Sequence, residues 1–415
     1  MHEEFSIGEL VSFYRERRGL SRPQLARKLG RSVSWLTKVE RGERALDKLS
    51  VIHQIAAALG VETGQLLGQP YSPPAREDPD GVPTLRRVLL RTETLPLPIE
   101  GVGGEPLEVR AAASLRGELD AACRLWHSSP ASVAGLLGAL PRMLLEAQLA
   151  VREAGDGQAR REANRVLAET YRLASGVLKR LGEDDLAWIA ADRAIGAAEA
   201  AQAPVLVAVA AMTLGHGVLG MGKRDDAATL AATAADLLGT PASTTPPDQI
   251  SVWGLLHALG MRASAQTGDR NGTREFERGA KHAAALLGTD RYDFWLLFGP
   301  TGVGIYQVCA WLELDDPIES LRHAEQLDVR QVASVERRAR FHIYRARAFG
   351  QRARDSEALA ALLEGEQASA DVVRYDPMAR ELLRDLVRRA RRTRLDPQLV
   401  RLVNDAHVLP GESLN

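Results

Sequence analysis

The chain has 415 residues, of which 45% are hydrophobic and 26% charged, and its formal net charge is −1. This length exceeds one ordinary hydrophobic core, so we expect at least two domains. The near-zero charge argues against a uniformly basic nucleic-acid coat. Two distant cysteines, Cys123 and Cys309, argue against a disulfide scaffold and favour a reducing cytoplasm.

Neither a secretory signal nor a membrane span is expected. The start, MHEEFSIGEL, is acidic and lacks the basic and apolar parts of a signal peptide. The most apolar stretch, Pro204–Met221, is rich in alanine and glycine, contains His216 and is followed by Lys223. It is interpreted as a buried helix rather than a span, which needs roughly 20 strongly apolar residues.

Residues 1–67 predict a bundle of five short helices, because capping residues and glycines separate apolar positions at helical spacing. Serines occupy capping positions before each of the first three helices, and glycines close them. The predicted boundaries are Ser6–Arg18, Ser21–Gly30, Ser32–Arg41, about Leu49–Leu59, and a fifth helix near Thr63–Leu67.

This segment is locally basic. From Arg15 to Lys48 there are eleven Lys and Arg residues and four acids, a local charge of +7. A positive face on a neutral chain is typical of a module that docks on nucleic acid. A merely solvated basic face would have the same composition.

Residues 6–67 resemble the phage-repressor type of helix-turn-helix domain, called XRE. The resemblance rests on the run GLSRPQLARKLG, the third helix capped by Ser32, its ending Glu40-Arg41-Gly42, and the closing IAAALGV. It implies that the third helix enters the major groove of double-stranded DNA, where base edges are distinguishable.

The resemblance also implies DNA-contacting positions. Val33, Ser34 and Lys38 match positions that touch bases, although Val33 replaces a commonly polar residue and suits a thymine methyl group. Trp35 packs on the core, donates to phosphate, or does both, and plain helix surface is the alternative for Ser34 and Thr37. The predicted DNA-binding residues are Arg22, Ser32, Val33, Ser34, Trp35, Thr37, Lys38, Arg41 and Arg44.

Two further expectations come from the same resemblance. Arg15 and Glu40 match a pair that forms an internal ion bridge between the first and third helices. Modules of this type commonly bind inverted half-sites as two-fold dimers. We therefore expect an inverted-repeat operator and a homodimer held together by the larger helical domain.

Residues 68–106 are predicted to be a linker with a possible short helix. Gly68–Pro83 is dominated by proline, glycine and charge, Thr84–Glu93 is a candidate helix, and Leu95–Pro106 is irregular. Residues 107–415 are predicted to form successive helices with short breaks and without convincing strands.

The large segment contains degenerate repeats. Gly182, Gly222 and Gly268 align as turn glycines, separated by 40 and 46 residues. Small residues recur at most of three equivalent positions, which lie seven residues before each turn and five and twelve residues after it, and a looser copy spans Ala346–Leu363. The spacing resembles the tetratricopeptide repeat, TPR, whose strict period is about 34 residues. Alanine-rich helices of any bundle would produce part of this pattern.

The predicted fold is therefore all-α, with an N-terminal helix-turn-helix bundle, a linker and a C-terminal TPR-like α-solenoid. This combination is similar to peptide-responsive regulators of Gram-positive bacteria, and Phe294–Leu314 is similar to a segment of actinobacterial regulators. The resemblance implies a transcriptional regulator gated by a peptide or small-molecule effector. The alternative is a protein-interaction scaffold or antitoxin-like regulator that uses the module for docking.

Two local features of the sequence each fit two interpretations. Phe294, Trp295 and Phe298 precede a helix break and form either a pocket wall or ordinary hairpin packing. The arginine-rich Arg380–Arg394 is either a solvated capping face or a second DNA contact.

No enzyme is expected, because no catalytic set is recognisable. The histidines lack the i, i+4 spacing of a helical zinc pair, and the serines lack a nucleophile elbow. We therefore predict no cofactor and no metal.

Overall fold

The polypeptide divides into two units in the computed structural model, Met1–Asp78 and Pro79–Asn415. We call them the N-terminal unit and the C-terminal unit. The structure describes residues 7–18, 20–42, 46, 49–59, 61, 66, 81–90, 107–129, 132–155, 157–390 and 396–406.

The N-terminal unit is a small helical bundle. Its four described helices are α1 (Ile7–Arg17), α2 (Arg22–Lys28), α3 (Val33–Glu40) and α4 (Leu49–Leu59). They bury an apolar cluster to which every one of the four contributes. The predicted fifth helix lies outside the described residues except for Leu66, which is fully buried in this cluster.

Local sequence explains where these helices begin and end. Ser21 and Gln24 form a reciprocal capping box at the start of α2, with Pro23 in its first turn. Ser32 accepts a hydrogen bond from the backbone N–H of Trp35 at the start of α3. The chain leaves α2 through Gly30, whose φ of 61° is left-handed.

The C-terminal unit is built almost entirely from helices, so the all-α prediction is confirmed. The elements before its short hairpin are α5 (Val82–Leu90), α6 (Ala112–Ser128), α7 (Ser132–Glu153), α8 (Gln158–Leu181), α9 (Asp184–Ala200), α10 (Pro204–Gly220), α11 (Arg224–Leu238), α12 (Pro247–Thr267) and α13 (Arg270–Leu287). Those after it are α14 (Pro300–Glu313), α15 (Pro317–Glu325), a 3₁₀ turn (Val329–Gln331), α16 (Val335–Gln351), α17 (Asp355–Ala368), α18 (Ala370–Tyr375), α19 (Pro377–Ala390) and α20 (Pro397–Asp405).

Five successive helix pairs share one turn geometry. Gly182, Gly222 and Gly268 lie between paired helices with φ of 76°, 76° and 80°. The equivalent turns of α14–α15 and α16–α17 place Asp315 and Ala353 at φ of 58° and 55°. The spacing of glycines does not reveal these two turns, because the left-handed position is occupied by Asp315 and Ala353. A residue with a Cβ adopts this conformation only at a cost in free energy.

Small residues at the predicted spacing lie where paired helices cross. Seven residues before the first turn, Ser175 donates a hydrogen bond of 2.8 Å to the carbonyl of Ala187, five residues after it. Across the Asp315 turn the same two positions are bonded in the reverse direction, since Ser320, after the turn, donates to the carbonyl of Val308, before it, at 2.7 Å. Gly215 of α10 serves the contact between successive pairs instead, because a Cβ there would collide with the Leu259 side chain of α12.

The expectation that residues 107–415 contain no strands is wrong at one place. Arg291–Asp293 (β1) and Leu296–Phe298 (β2) pair as an antiparallel hairpin, with Tyr292 opposite Leu297. Its two-residue turn is Phe294-Trp295, and both residues are left-handed, with φ of 51° and 60°. Such a turn normally selects Asn-Gly, so the sequence carried no hairpin signal.

The candidate helix in the predicted linker forms as α5. Its side chains Val82, Leu85 and Leu89 are fully buried in the core of the C-terminal unit, against α7 and α9. None of the helices that the structure describes combines the length and the apolar character that a bilayer crossing requires.

Candidate nucleic-acid interface and central cavity

Helix α3 has a buried face and an outward face. Leu36 and Val39 are buried in the core of the N-terminal unit, and α2 contributes Leu25 and Ala26 beside them. Leu29 is half-buried. The buried positions fix which side of α3 is turned outward.

The outward face carries most of the predicted reading residues. Ser32, Val33, Ser34 and Lys38 are exposed. Thr37 is half-buried, and its hydroxyl donates 2.9 Å to the carbonyl of Val33 within the same helix. The face therefore presents the two methyl groups of Val33, the hydroxyls of Ser32 and Ser34, and the ammonium group of Lys38.

Trp35 lies at the edge of this face. It is half-buried and packs on the core cluster, while the guanidinium of Arg31 lies 5.5 Å from the centre of its ring. This is the packing alternative that the sequence left open. Arg41 is exposed at the end of α3, and the predicted contact Arg44 lies outside the described residues.

A buried carboxylate fixes α3 to its neighbours. Glu40 accepts hydrogen bonds from Arg15 of α1, with Nε to Oε1 at 2.5 Å and Nη2 to Oε2 at 3.1 Å. The Glu40 and Arg15 side chains are only 2% and 7% exposed. The ion pair expected between the first and third helices is thus present.

The structure adds a third member that the sequence did not predict. Arg22 of α2 donates from Nε to Glu40 Oε2 at 2.6 Å, although 43% of its side chain is exposed. Burial alone raises the pKa of Glu40, but hydrogen bonds and positive charge from Arg15 and Arg22 outweigh it and lower that pKa below its usual range. One carboxylate therefore joins α1, α2 and α3.

Two described arginines of the arginine-rich C-terminal stretch form ion pairs. Arg389 bonds Asp355 of α17 at 2.8 Å, and Arg388 bonds Asp385 within α19. Leu382, Leu383 and Leu386 are buried on the opposite side of that helix. These contacts favour the capping-face interpretation for residues 380–390, and residues 391–395 lie outside the described part.

Comparison with known proteins identifies this first module. Residues 7–67 match the family described as a helix-turn-helix domain. They form a helix-turn-helix domain. The curated relative HTH-type transcriptional regulator SlrR of Bacillus subtilis (strain 168) is 38% identical over 60 residues, which cover 14% of this chain and 40% of that protein.

The chain therefore spans less than half the length of this curated relative. Among solved structures, that of Bacillus thuringiensis PlcR in complex with the peptide PapR7 and DNA matches with 12% identity. The matched region covers 68% of this chain and 95% of the PlcR chain, with a TM-score of 0.27.

Apart from the helix-turn-helix domain, the C-terminal unit contains a cavity of about 330 Å³. Its walls come from α6, α8, the first helices of the later pairs, the β1–β2 turn and the chain around Asp376. Helices α8, α10, α12, α14 and α16 are each the first helix of a pair, so the cavity lies on the inner side of the repeat array.

The strained hairpin turn forms one wall. Phe294 and Trp295 line the cavity, and Trp295 stacks on His127 with 6.3 Å between ring centres. Phe298 is instead fully buried against Gly254. Of the three aromatic residues singled out in the sequence, two border the cavity and one packs in the core.

Buried ion pairs close the cavity on another side. Arg180 of α8 pairs with Glu336 of α16, and its Nη1 lies 3.3 Å from Asp376 Oδ2. All three side chains are more than nine-tenths buried. Burial raises the pKa of Glu336, but Arg180 and Arg337 outweigh it and lower that pKa to about 2.

Three titratable groups at the cavity, His216, Cys123 and Cys309, are neutral. Burial, reinforced by Arg262 and Lys179, lowers the pKa of His216 well below its usual range. Burial raises the pKa of the Cys123 thiol to about 12 and of Cys309 to about 11, so both remain protonated thiols. Within the described residues, no group of His, Cys, Asp and Glu is arranged to hold a metal ion.

Sequence reasoning missed the charged lining of this cavity. One feature of the sequence does indicate this lining. Arg262 is the only Lys, Arg, Asp or Glu between Ile250 and Thr267, on a largely apolar helix. A single arginine at such a position is expected to serve a buried pair or a ligand.

Proposed function

We propose that the protein is a sequence-specific DNA-binding transcriptional regulator whose C-terminal unit binds an effector. The observation that carries this proposal is the exposed outward face of α3, with Ser34 and Lys38 on a helix fixed by Glu40. A helix of this kind fits the major groove, where hydroxyl, methyl and cationic groups distinguish base pairs.

Separate residues contact the bases and the DNA backbone in this proposal. Lys38 donates to guanine O6 or N7, Ser34 bonds a base edge, and Val33 contacts a thymine methyl group. Thr37 and Ser32 border this contact, and Trp35 supports it from the core side. Phosphates are bound by Arg41 and Arg44 beyond α3 and by the exposed part of Arg22.

The DNA target we propose is an inverted repeat bound by a homodimer. One small reading helix covers a single half-site, and a two-fold pair reads two half-sites about one helical turn apart. Dimer contacts are assigned to the larger C-terminal unit, since the basic face must stay open for DNA.

The effector binds in the cavity of the C-terminal unit. Binding at that site influences the DNA-bound population only if the effector has different affinities for two states of the protein. As a DNA-binding regulator, the protein acts in the cytoplasm and is assigned no catalytic activity.

Selection of genomic DNA fragments by the purified full-length protein tests the proposal. We expect enrichment of inverted repeats, and Lys38→Ala should weaken binding and change base preference at one position of each half-site by about 1–3 kcal/mol. Arg330→Ala is the matched control, because Arg330 is 87% exposed in the C-terminal unit.

Two results would overturn this assignment. One is the absence of any enriched sequence, and the other is enrichment that is unchanged in Lys38→Ala. Retained binding of a protein partner by the DNA-inactive variant would instead support the docking-module alternative.

A further inference from the structure

The central cavity is bordered by an excess of guanidinium groups. The lining arginines are Arg172, Arg180, Arg262, Arg337 and Arg340. Carboxylates of the protein accompany three of them. Arg180 is paired as described above, Arg262 bonds Glu313 at 2.6 Å, and Arg337 lies 3.7 Å from Glu336.

Arg340 has only a neutral partner. Its Nε and Nη2 donate to the hydroxyl of Tyr344 at 3.0 and 2.5 Å, and no salt bridge joins it to a carboxylate of the described residues. Burial lowers the pKa of Arg340, but Tyr344 and the more distant Asp376 and Glu336, which already pair with other arginines, outweigh it and raise that pKa. A phenol satisfies hydrogen-bond donors but does not balance a charge. One positive charge is therefore left over in the group that includes Arg180, Arg262 and Arg337.

Arg172 is in a similar position. Its Nη2 donates 3.0 Å to the carbonyl of Phe294, and its Nε is buried without a hydrogen-bond partner. The neighbouring carboxylate, Glu169, is bonded by Arg116 at 2.7 Å. Burial lowers the pKa of Arg172 from its usual value. A guanidinium nevertheless remains charged in proteins, so the residue cannot escape the cost by losing a proton.

Uncompensated buried charge is expensive, and its cost falls when a counter-ion binds. Guanidinium groups bind carboxylate and phosphate in bidentate geometry. The remaining wall includes the aromatic side chains of Trp126, Phe294, Trp295 and Tyr306. A volume of about 330 Å³ is at the small end of the roughly 300–1,000 Å³ of ligand sites, which suits a small molecule rather than an extended peptide.

We propose that this cavity binds a small organic acid, whose carboxylate or phosphate groups balance Arg340 and Arg172 while its apolar body lies against the aromatic wall. The inference rests on the proposed function, which assigns the effector to this unit. It narrows the effector from a peptide or small molecule to a small anion.

The test uses the full chain and three matched probes at about 1 mM: 1-naphthoate, 1-naphthyl phosphate and the neutral 1-naphthamide. Differential scanning calorimetry measures the Tm of the C-terminal unit. At about ten times its Kd, an acid should raise Tm by about 2 °C, and the amide should have less than half this effect. The larger response of the two acids identifies the preferred anionic group.

Arg340→Met and Arg172→Met should each reduce the response to the acids. Without ligand, Arg340→Met should leave Tm unchanged or raise it, because it removes an unbalanced charge and keeps the side-chain length. Arg330→Met, on the exposed surface, should respond as the unmodified protein does.

The inference is overturned if neither acid raises Tm, if the amide acts equally well, or if Arg340→Met keeps the full preference for the acids. Its failure is separable from failure of the proposed function, since DNA selection is measured without any probe. If DNA sites are enriched but neither acid raises Tm, the assignment as a DNA-binding regulator stands and only the proposed anion site is refuted.

Discussion

Replacing Glu40 by glutamine isolates the ionic cluster that positions α3. The substitution keeps the shape and one acceptor oxygen but removes the charge shared by Arg15 and Arg22. Arg15 is then left nearly buried without its carboxylate, while Nη1 still donates to the Leu20 carbonyl at 3.1 Å and Nη2 to the Ser12 hydroxyl at 3.2 Å. Removing one partner of a buried pair costs about 3–5 kcal/mol. Because one acceptor survives, we expect about 3 kcal/mol.

Hydrogen exchange of the α3 amides in the full-length protein measures this loss. A destabilisation of about 3 kcal/mol corresponds to roughly 100-fold faster exchange when opening is local. Glu357→Gln is the control. Glu357 pairs with Arg354 at 2.8 Å with both side chains more than 40% exposed, so its own helix should lose less than about 1 kcal/mol.

The pH dependence has a defined sign. The pKa of Glu40 is lower in the folded protein than its unfolded reference of 4.5. Its stabilisation is therefore complete above pH 4.5 and is lost as pH falls through the folded pKa. The exchange ratio between the variant and the unmodified protein, taken at each pH, should shrink below pH 4.5. Unchanged α3 exchange together with a changed set of selected DNA sites would refute the structural role of Glu40.

Two further predictions concern the C-terminal unit, which contains five of the six tryptophans and can be followed by fluorescence during urea unfolding. Ala353→Gly should raise the free energy of unfolding by up to about 1 kcal/mol, because φ is 55° there. The same change at exposed Ala360 inside α17 should lower it by about 1 kcal/mol, and equal signs would contradict the turn assignment. Gly254→Ala should destabilise by about 1–3 kcal/mol, since the new Cβ would collide with Phe298. Gly196→Ala, on an exposed helix surface with open space, should stabilise by about 1 kcal/mol, and a stable Gly254→Ala protein would show that the Phe298 ring yields easily.

The sequence predicted the N-terminal unit in detail because its signals are local. Ser21, Ser32 and Gly30 define helix ends through contacts within four residues, and apolar spacing alone distinguishes buried Leu36 from exposed Lys38. The participation of Arg22 in the Glu40 cluster could not be predicted in this way, because it depends on how α2 and α3 cross.

The C-terminal unit was predictable only where repeats use glycine. Gly182, Gly222 and Gly268 revealed three turns, whereas Asp315 and Ala353 adopt the same conformation without the residue type that announces it. The hairpin turn at Phe294-Trp295 was even less predictable, since two bulky residues occupy left-handed positions there. Strain of this kind persists where surrounding contacts enforce it, and here Arg172 bonds the Phe294 carbonyl while Trp295 stacks on His127.

The charged closure of the cavity has a consequence for how an effector can act. Arg180 ties α8 to α16 through Glu336, a contact between segments 156 residues apart in sequence. Well-packed apolar residues often give equal or greater stability than a buried ion pair, so stability alone does not favour this arrangement. An ionic closure differs from an apolar one in its response to anions. An incoming carboxylate or phosphate offers guanidinium groups the same bonds that Glu336 supplies, so exchange of partners requires no lasting loss of hydrogen bonds. A small acid that balances Arg340 and Arg172 would bring such a group into the cavity that Arg180 and Glu336 border, whereas a neutral ligand of the same shape would offer the guanidinium groups no competing charge.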